Sequence, residues 1–103
     1  MAISQYPRPI LSGIAAIEAI FGSQSTSELK QVRAVIATFD VVWPSDAEFQ
    51  NAANQFGKLK LSHGIGILDA ISASTALTRG YDLATFNVKH FRAISGLTVI
   101  KPY

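Results

Sequence analysis

The sequence predicts an α/β fold, a mainly parallel sheet covered by helices, and three features carry that reading. Apolar residues recur at helical spacing in several stretches, short β-branched or aromatic runs lie between them, and the connections are brief. Parallel strands cannot be joined by hairpins and need crossovers, which the intervening helices supply. The 103 residues suffice for one small domain, 1–103, with a single core hiding about two-thirds of the unfolded surface.

In chain order, Ala2-Ile3-Ser4-Gln5 alternates and leads to Pro7 and Pro9, so a short strand is expected to end in a tight connection that opens a helix. That helix is expected over 10–21, with Ile10, Ile14, Ile17 and Ile20 or Phe21 at helical spacing and Gly22-Ser23 as its stop. Ser25 and Glu28 have the spacing of a capping box ahead of a second stripe, Leu29, Val32, Val35, Ile36 and Phe39. Residues 40–43 are short and β-branched and stop at Pro44, which reads as a strand. Ser45 and Glu48 repeat the capping-box spacing before a helix through Phe49, Ala52, Ala53 and Phe56 to Gly57, leaving 58–66 as loop. From Gly66 a helix runs to Arg79-Gly80, with a basic residue in its last turn and glycine as C-cap. A strand over 83–86, at most a helical turn over 88–91 and a final strand over 97–100 follow.

Hydrophobic residues make up 49% of the chain and charged ones only 16%, and the mean hydropathy is +0.26. Part of the surface should therefore meet a partner, and self-association through the helices at 10–21 and 28–39 is expected. A formal charge of +2 is too mild and too scattered for a nucleic-acid stripe, and it neither requires nor excludes RNA. The absence of cysteine excludes disulfides and thiolate metal sites and agrees with a cytoplasmic protein. No signal-peptide pattern opens the chain. The longest apolar stretch, 10–21, carries Glu18 and is too short to span a bilayer, so no membrane partner is expected.

One carboxylate interrupts the apolar run 63–77. Asp69 has small or apolar residues on nearly every side of its helix, so it should be at least half buried, and it lacks a basic neighbour in sequence. Removing its water costs several kcal/mol on the order given for unpaired buried ions, so a partner is expected, and a metal is one candidate. The plainer alternative is an acid that offsets the positive end of a helix dipole. Asn87 and His90 follow the strand at 83–86, and ligands of parallel sheets sit at the carboxyl ends of strands, so both are candidates to face Asp69 across one cleft. Either residue alone is equally at home ending a strand or on a surface. Ser62-His63-Gly64-Ile65-Gly66 contains a bare G-x-G, which lacks the preceding strand and third glycine of a phosphate loop and reads as a turn.

The stretches 66–77, with Asp69-Ala70, 83–91, with Thr85-Phe86-Asn87 and His90-Phe91, and 96–100, with Gly96-Leu97, resemble the C-terminal half of PIN-domain proteins, and among them VapC-type toxin ribonucleases. The resemblance implies a three-layer α/β/α fold and a Mg²⁺- or Mn²⁺-dependent endoribonuclease, the toxin of a toxin–antitoxin pair. It also implies Asp69 as metal ligand, Asn87 and His90 in supporting or phosphate-contacting roles, and an RNA substrate, a cognate antitoxin and a homo-oligomer as partners. The chain departs from the pattern at Ser72, which replaces an apolar residue, at Asn87 and His90, which stand in place of a fourth acid, and in the first two acids. It starts at what looks like the family's second strand, so the first strand and its Asp are expected to be missing. The E-L-x-x-G motif is matched to Pro9-Ile10-Leu11-Ser12-Gly13, which puts Pro9 in place of the second acid. With Asp69 as the one clear carboxylate, Mg²⁺ would be held weakly. Two functions follow: a ribonuclease of weak or lost activity, or a non-catalytic interaction module that dimerises or binds an antitoxin.

Overall fold

The structure, a computed structural model, describes residues 9–92 and 94–101. Among these, β1 (Ile10–Ser12), β2 (Asp40–Val42), β3 (Leu83–Ala84) and β4 (Val99–Ile100) form an all-parallel sheet in the order β2-β1-β3-β4. The helices α1 (Gly13–Phe21), α2 (Thr26–Ile36), α3 (Asp46–His63) and α4 (Ile67–Arg79) connect them, with a 3-10 turn at Val88–Phe91 before β4. The expected α/β class and parallel sheet are what the structure shows. The strand expected over 2–5 lies outside the described residues.

Successive strand residues point to opposite faces, and each face has its own core. Ile10 and Leu83, with Val42 and Val99, pack against Ala52 and Phe56 of α3 and Ala70, Ile71, Ala73 and Ala76 of α4. Leu11 and Ala84, with Val41 and Ile100, pack against Ala16, Ile36 and Phe39 on the other side. Helices therefore cover both faces, as parallel sheets require. Arg79 clasps the edge of this assembly. Its guanidinium donates to both carboxylate oxygens of Glu48, at 2.9 and 3.0 Å, and to the Trp43 carbonyl at 2.9 Å, joining the end of α4 to the start of α3 and the exit of β2.

Three expectations need correction. The helix expected over 10–21 begins only at Gly13, because Ile10, Leu11 and Ser12 form β1, which lies between β2 and β3 and is fully buried. A strand covered on both faces shows an unbroken apolar run, which periodicity cannot tell from a helix. Ser12 then caps α1, its hydroxyl accepting from the Ile14 N–H at 3.2 Å. Gly57 does not end α3, which continues to His63 through the region expected to be loop. A mid-helix glycine costs only about 1 kcal/mol, and packing of α3 along α4 outweighs it. The stop comes at Gly64, with φ 71°, the left-handed conformation suited to a C-cap. Finally, α2 ends at Ile36 rather than Phe39, which follows in a turn and stays in the core.

The two capping boxes also differ. Ser45 and Glu48 form the reciprocal pair at the start of α3, with the Ser45 N–H donating to Glu48 at 2.8 Å and the Glu48 N–H donating to the Ser45 hydroxyl at 3.2 Å. At α2 the Ser25 hydroxyl accepts from the Glu28 N–H at 3.0 Å, but the Glu28 carboxylate accepts from the Gln24 N–H.

Candidate active site

Because all four strands run the same way, the segments leaving their carboxyl ends gather on one edge of the sheet. Helix α4 runs back towards the start of β3, so its first turn lies on that same edge. Asp69 sits in this first turn, its side chain 19% exposed. The burial follows from the sequence around it. Ala70, Ile71, Ser72, Ala73, Ser74, Thr75 and Ala76 are all buried, and their small side chains let α3, α1 and the sheet close on α4 from several sides.

The partner expected for Asp69 is His90, whose Nδ1 lies 2.8 Å from Asp69 Oδ2. An ionised carboxylate can only accept, so the proton of this bond belongs to the imidazole. The 3-10 turn that carries His90 is held locally. The Asn87 carbonyl accepts from the His90 N–H at 3.1 Å, the Asn87 N–H donates to the Thr85 hydroxyl at 3.1 Å, and Phe91 is buried in the core. Asn87 itself is exposed and lines, with Asp69, Ser72 and Thr85, a pocket of about 220 Å³. Thus the three residues singled out in sequence meet at one place, Asp69 and His90 in direct contact and Asn87 across the pocket.

Another residue of that pocket was not singled out. Glu18 of α1 lines it too. Partial burial, and next the negative charge of Asp69, hold the Glu18 carboxyl above its ordinary value, while His90 pulls it the other way. The residue matched in sequence to the second acid is Pro9. That residue precedes β1, at the opposite edge of the sheet, whereas α1 leaves the carboxyl end of β1 and carries Glu18 back over the site. The signal was present in the sequence: Glu18-Ala19-Ile20-Phe21-Gly22 has the same glutamate-to-glycine spacing as the motif matched at 9–13.

The arrangement offers two carboxylates, a neutral amide and an imidazole, of which the carboxylate and amide oxygens are hard donors. Among the described residues no group of three or more metal-ligating side chains converges. Mg²⁺ is held by one or two carboxylates with several of its own waters and substrate phosphates, so Glu18 and Asp69 suit such an ion without forming a closed cage.

Comparison with known proteins bears on the family and the fold. The family profile of the PIN domain matches residues 2–97. Ribonuclease VapC1 of Rickettsia felis is 29% identical over 107 residues, covering 94% of this chain and 78% of the relative. A toxin–antitoxin complex from Klebsiella pneumoniae contains a chain 27% identical, with a TM-score of 0.58 over 95% of this chain and 78% of that one. VapBC-1 from nontypeable Haemophilus influenzae, 24% identical, shares the fold with a TM-score of 0.65 over 99% of this chain and 79% of its own. With its parallel sheet, its acid-bearing carboxyl edge and a profile match over most of its length, the chain belongs to the PIN-domain family and is similar to VapC-type members of it.

Proposed function

We propose that this chain is an endoribonuclease of the toxin type, dependent on Mg²⁺ or Mn²⁺, in which Glu18 and Asp69 hold the cation. The observation that carries the reading is the placement of these two carboxylates in one pocket, close enough for the charge of Asp69 to raise the Glu18 carboxyl. The cation, when bound, supplies water of lowered pKa and offsets the charge that develops on the leaving oxygen of a phosphodiester. The chain's own residues bind and orient. His90 fixes the Asp69 carboxylate through the Nδ1 bond and leaves one carboxylate oxygen outside it. Asn87, exposed at the rim, has an amide that can donate to a phosphate oxygen. Two carboxylates give a weak cation site, so turnover is expected to be slow and to need high Mg²⁺.

A cognate antitoxin is the proposed protein partner, since relatives of this fold are found in VapBC and toxin–antitoxin complexes. Self-association through α1 and α2 is proposed with it, on the exposure of Ile17 and of Phe21. The test of the enzymatic reading is cleavage of a labelled single-stranded RNA by the purified chain with Mg²⁺, with chelator, and after Asp69→Asn. Cleavage that stops with the chelator and falls at least a hundredfold in Asp69→Asn supports it. Cation-independent cleavage overturns the dependence on Mg²⁺ or Mn²⁺, and no cleavage at any concentration of either ion favours the non-catalytic interaction module.

A further inference from the structure

Beside the carboxylates lies a second, larger groove, of about 590 Å³, which meets the pocket at Asp69. One wall is the 3-10 turn, from which Lys89 and Arg92 line it next to His90. Both cations are exposed, and neither makes an ion pair among the described residues. The facing wall is the connection between α3 and α4, where Gly64 and Gly66 leave bare backbone.

The two glycines have different explanations. Gly64 has φ 71° and is required by its backbone. Gly66 has φ −78° and ψ 157°, which any residue adopts, and a Cβ there would meet no atom within 4 Å. It is also the N-cap of α4, a position where Ser, Thr, Asp or Asn would stabilise the helix, and it makes no side-chain cap. Neither conformation nor packing within the described residues calls for glycine here. A ligand that must approach the backbone does, and the two cations opposite give that ligand its sign.

We infer that this groove is the phosphate track for the strand being cut, with Lys89 and Arg92 gripping backbone phosphates adjacent to the one at Asp69 and Gly66 keeping the opposite wall clear. The inference rests on the ribonuclease reading and deepens it. Contacts of this kind position the strand without reading its sequence. They also support the two-carboxylate site, since holding the flanking phosphates would keep the phosphate at Asp69 beside an ion otherwise weakly bound.

The test is binding of a labelled single-stranded RNA, by fluorescence anisotropy over a salt series with chelator present. The chain is made as Asp69→Asn alone, with Lys89→Gln and Arg92→Gln added, and with Gly66→Asp added; cleavage is assayed separately in the chain with Asp69 intact. The double lysine–arginine change should weaken binding about tenfold or more near physiological salt and lower the salt slope by about 1.4, the counterion release of two single-strand contacts. Gly66→Asp should raise Tm, as a better cap, while weakening RNA binding. Unchanged affinity and slope in the double variant would overturn the inference even if Mg²⁺-dependent cleavage is intact. Charge-dependent binding without any cleavage would sustain the groove and sink the ribonuclease reading. Displacement of RNA by a glutamate-rich peptide that binds more tightly would overturn the inference in favour of an acidic protein partner.

Discussion

Gly13 is buried where α1 leaves β1, and a Cβ built on it would overlap the indole ring of Trp43. Gly13→Ala must therefore move that ring, at a cost of about 1–3 kcal/mol, towards the lower end because Trp43 is 56% exposed and has room to swing. Trp43 is the chain's one tryptophan, so urea unfolding should show the lost stability and native-state fluorescence the displaced ring. Glu48 makes a different kind of contact. Its bonds from Arg79, and then from Ser45, hold its carboxyl below the ordinary carboxylate range despite burial. A lowered value means stability that is present above the ordinary value and lost as pH falls through the lowered one. Glu48→Gln should cost about 1–3 kcal/mol at pH 7 and little in acid, which thermal unfolding at the two pH values checks. Glu18 has the opposite sign. Its raised value favours the fold below the ordinary carboxylate range and loses that benefit as pH rises through the raised one, so Glu18→Gln should raise Tm at pH 7 and not at low pH.

The helices show what a sequence announces and what it conceals. Helix α4 was legible end to end, because Gly80 and Arg79 mark its stop and Gly66 its start, and the structure places both there. Helix α3 was legible only at its beginning. Its capping box is local chemistry, whereas its passage through Gly57 depends on packing with α4, a contact between segments that no local pattern encodes. Gly57 is exposed, and a Cβ there meets nothing within 4 Å. Gly57→Ala should therefore stabilise the chain by about 0.5–1 kcal/mol, whereas Gly80→Ala, at φ 73°, should destabilise it by at least that much. Equilibrium unfolding of the two variants checks both. The strands were hardest to place. Those of two or three residues carry almost no periodicity, and β1 was absorbed into the helix that follows it.

Across the whole molecule, the site follows from topology. Parallel strands deliver α1, the first turn of α4 and the segment after β3 to one edge, and on that edge Glu18, Asp69, Asn87 and His90 come together from distant parts of the sequence. Asp69, Asn87 and His90 could be picked out beforehand because each stands next to a recognisable element boundary. Glu18 was passed over although Glu18 and Gly22 have the spacing of the motif, because it lies within an apolar helix whose start was placed too early, and the fold shows that it lines the same pocket as Asp69. Catalysis should depend on that pairing. The most direct measurement is the Mg²⁺-dependent rate of RNA cleavage by Glu18→Gln beside Asp69→Asn, each first shown to be folded by its thermal transition. Both rates should collapse together, by a hundredfold or more, with Glu18→Gln at least as stable as the parent chain at pH 7. A Glu18→Gln chain that cuts RNA at the parent rate would contradict the account, leaving Asp69 to act without its neighbour.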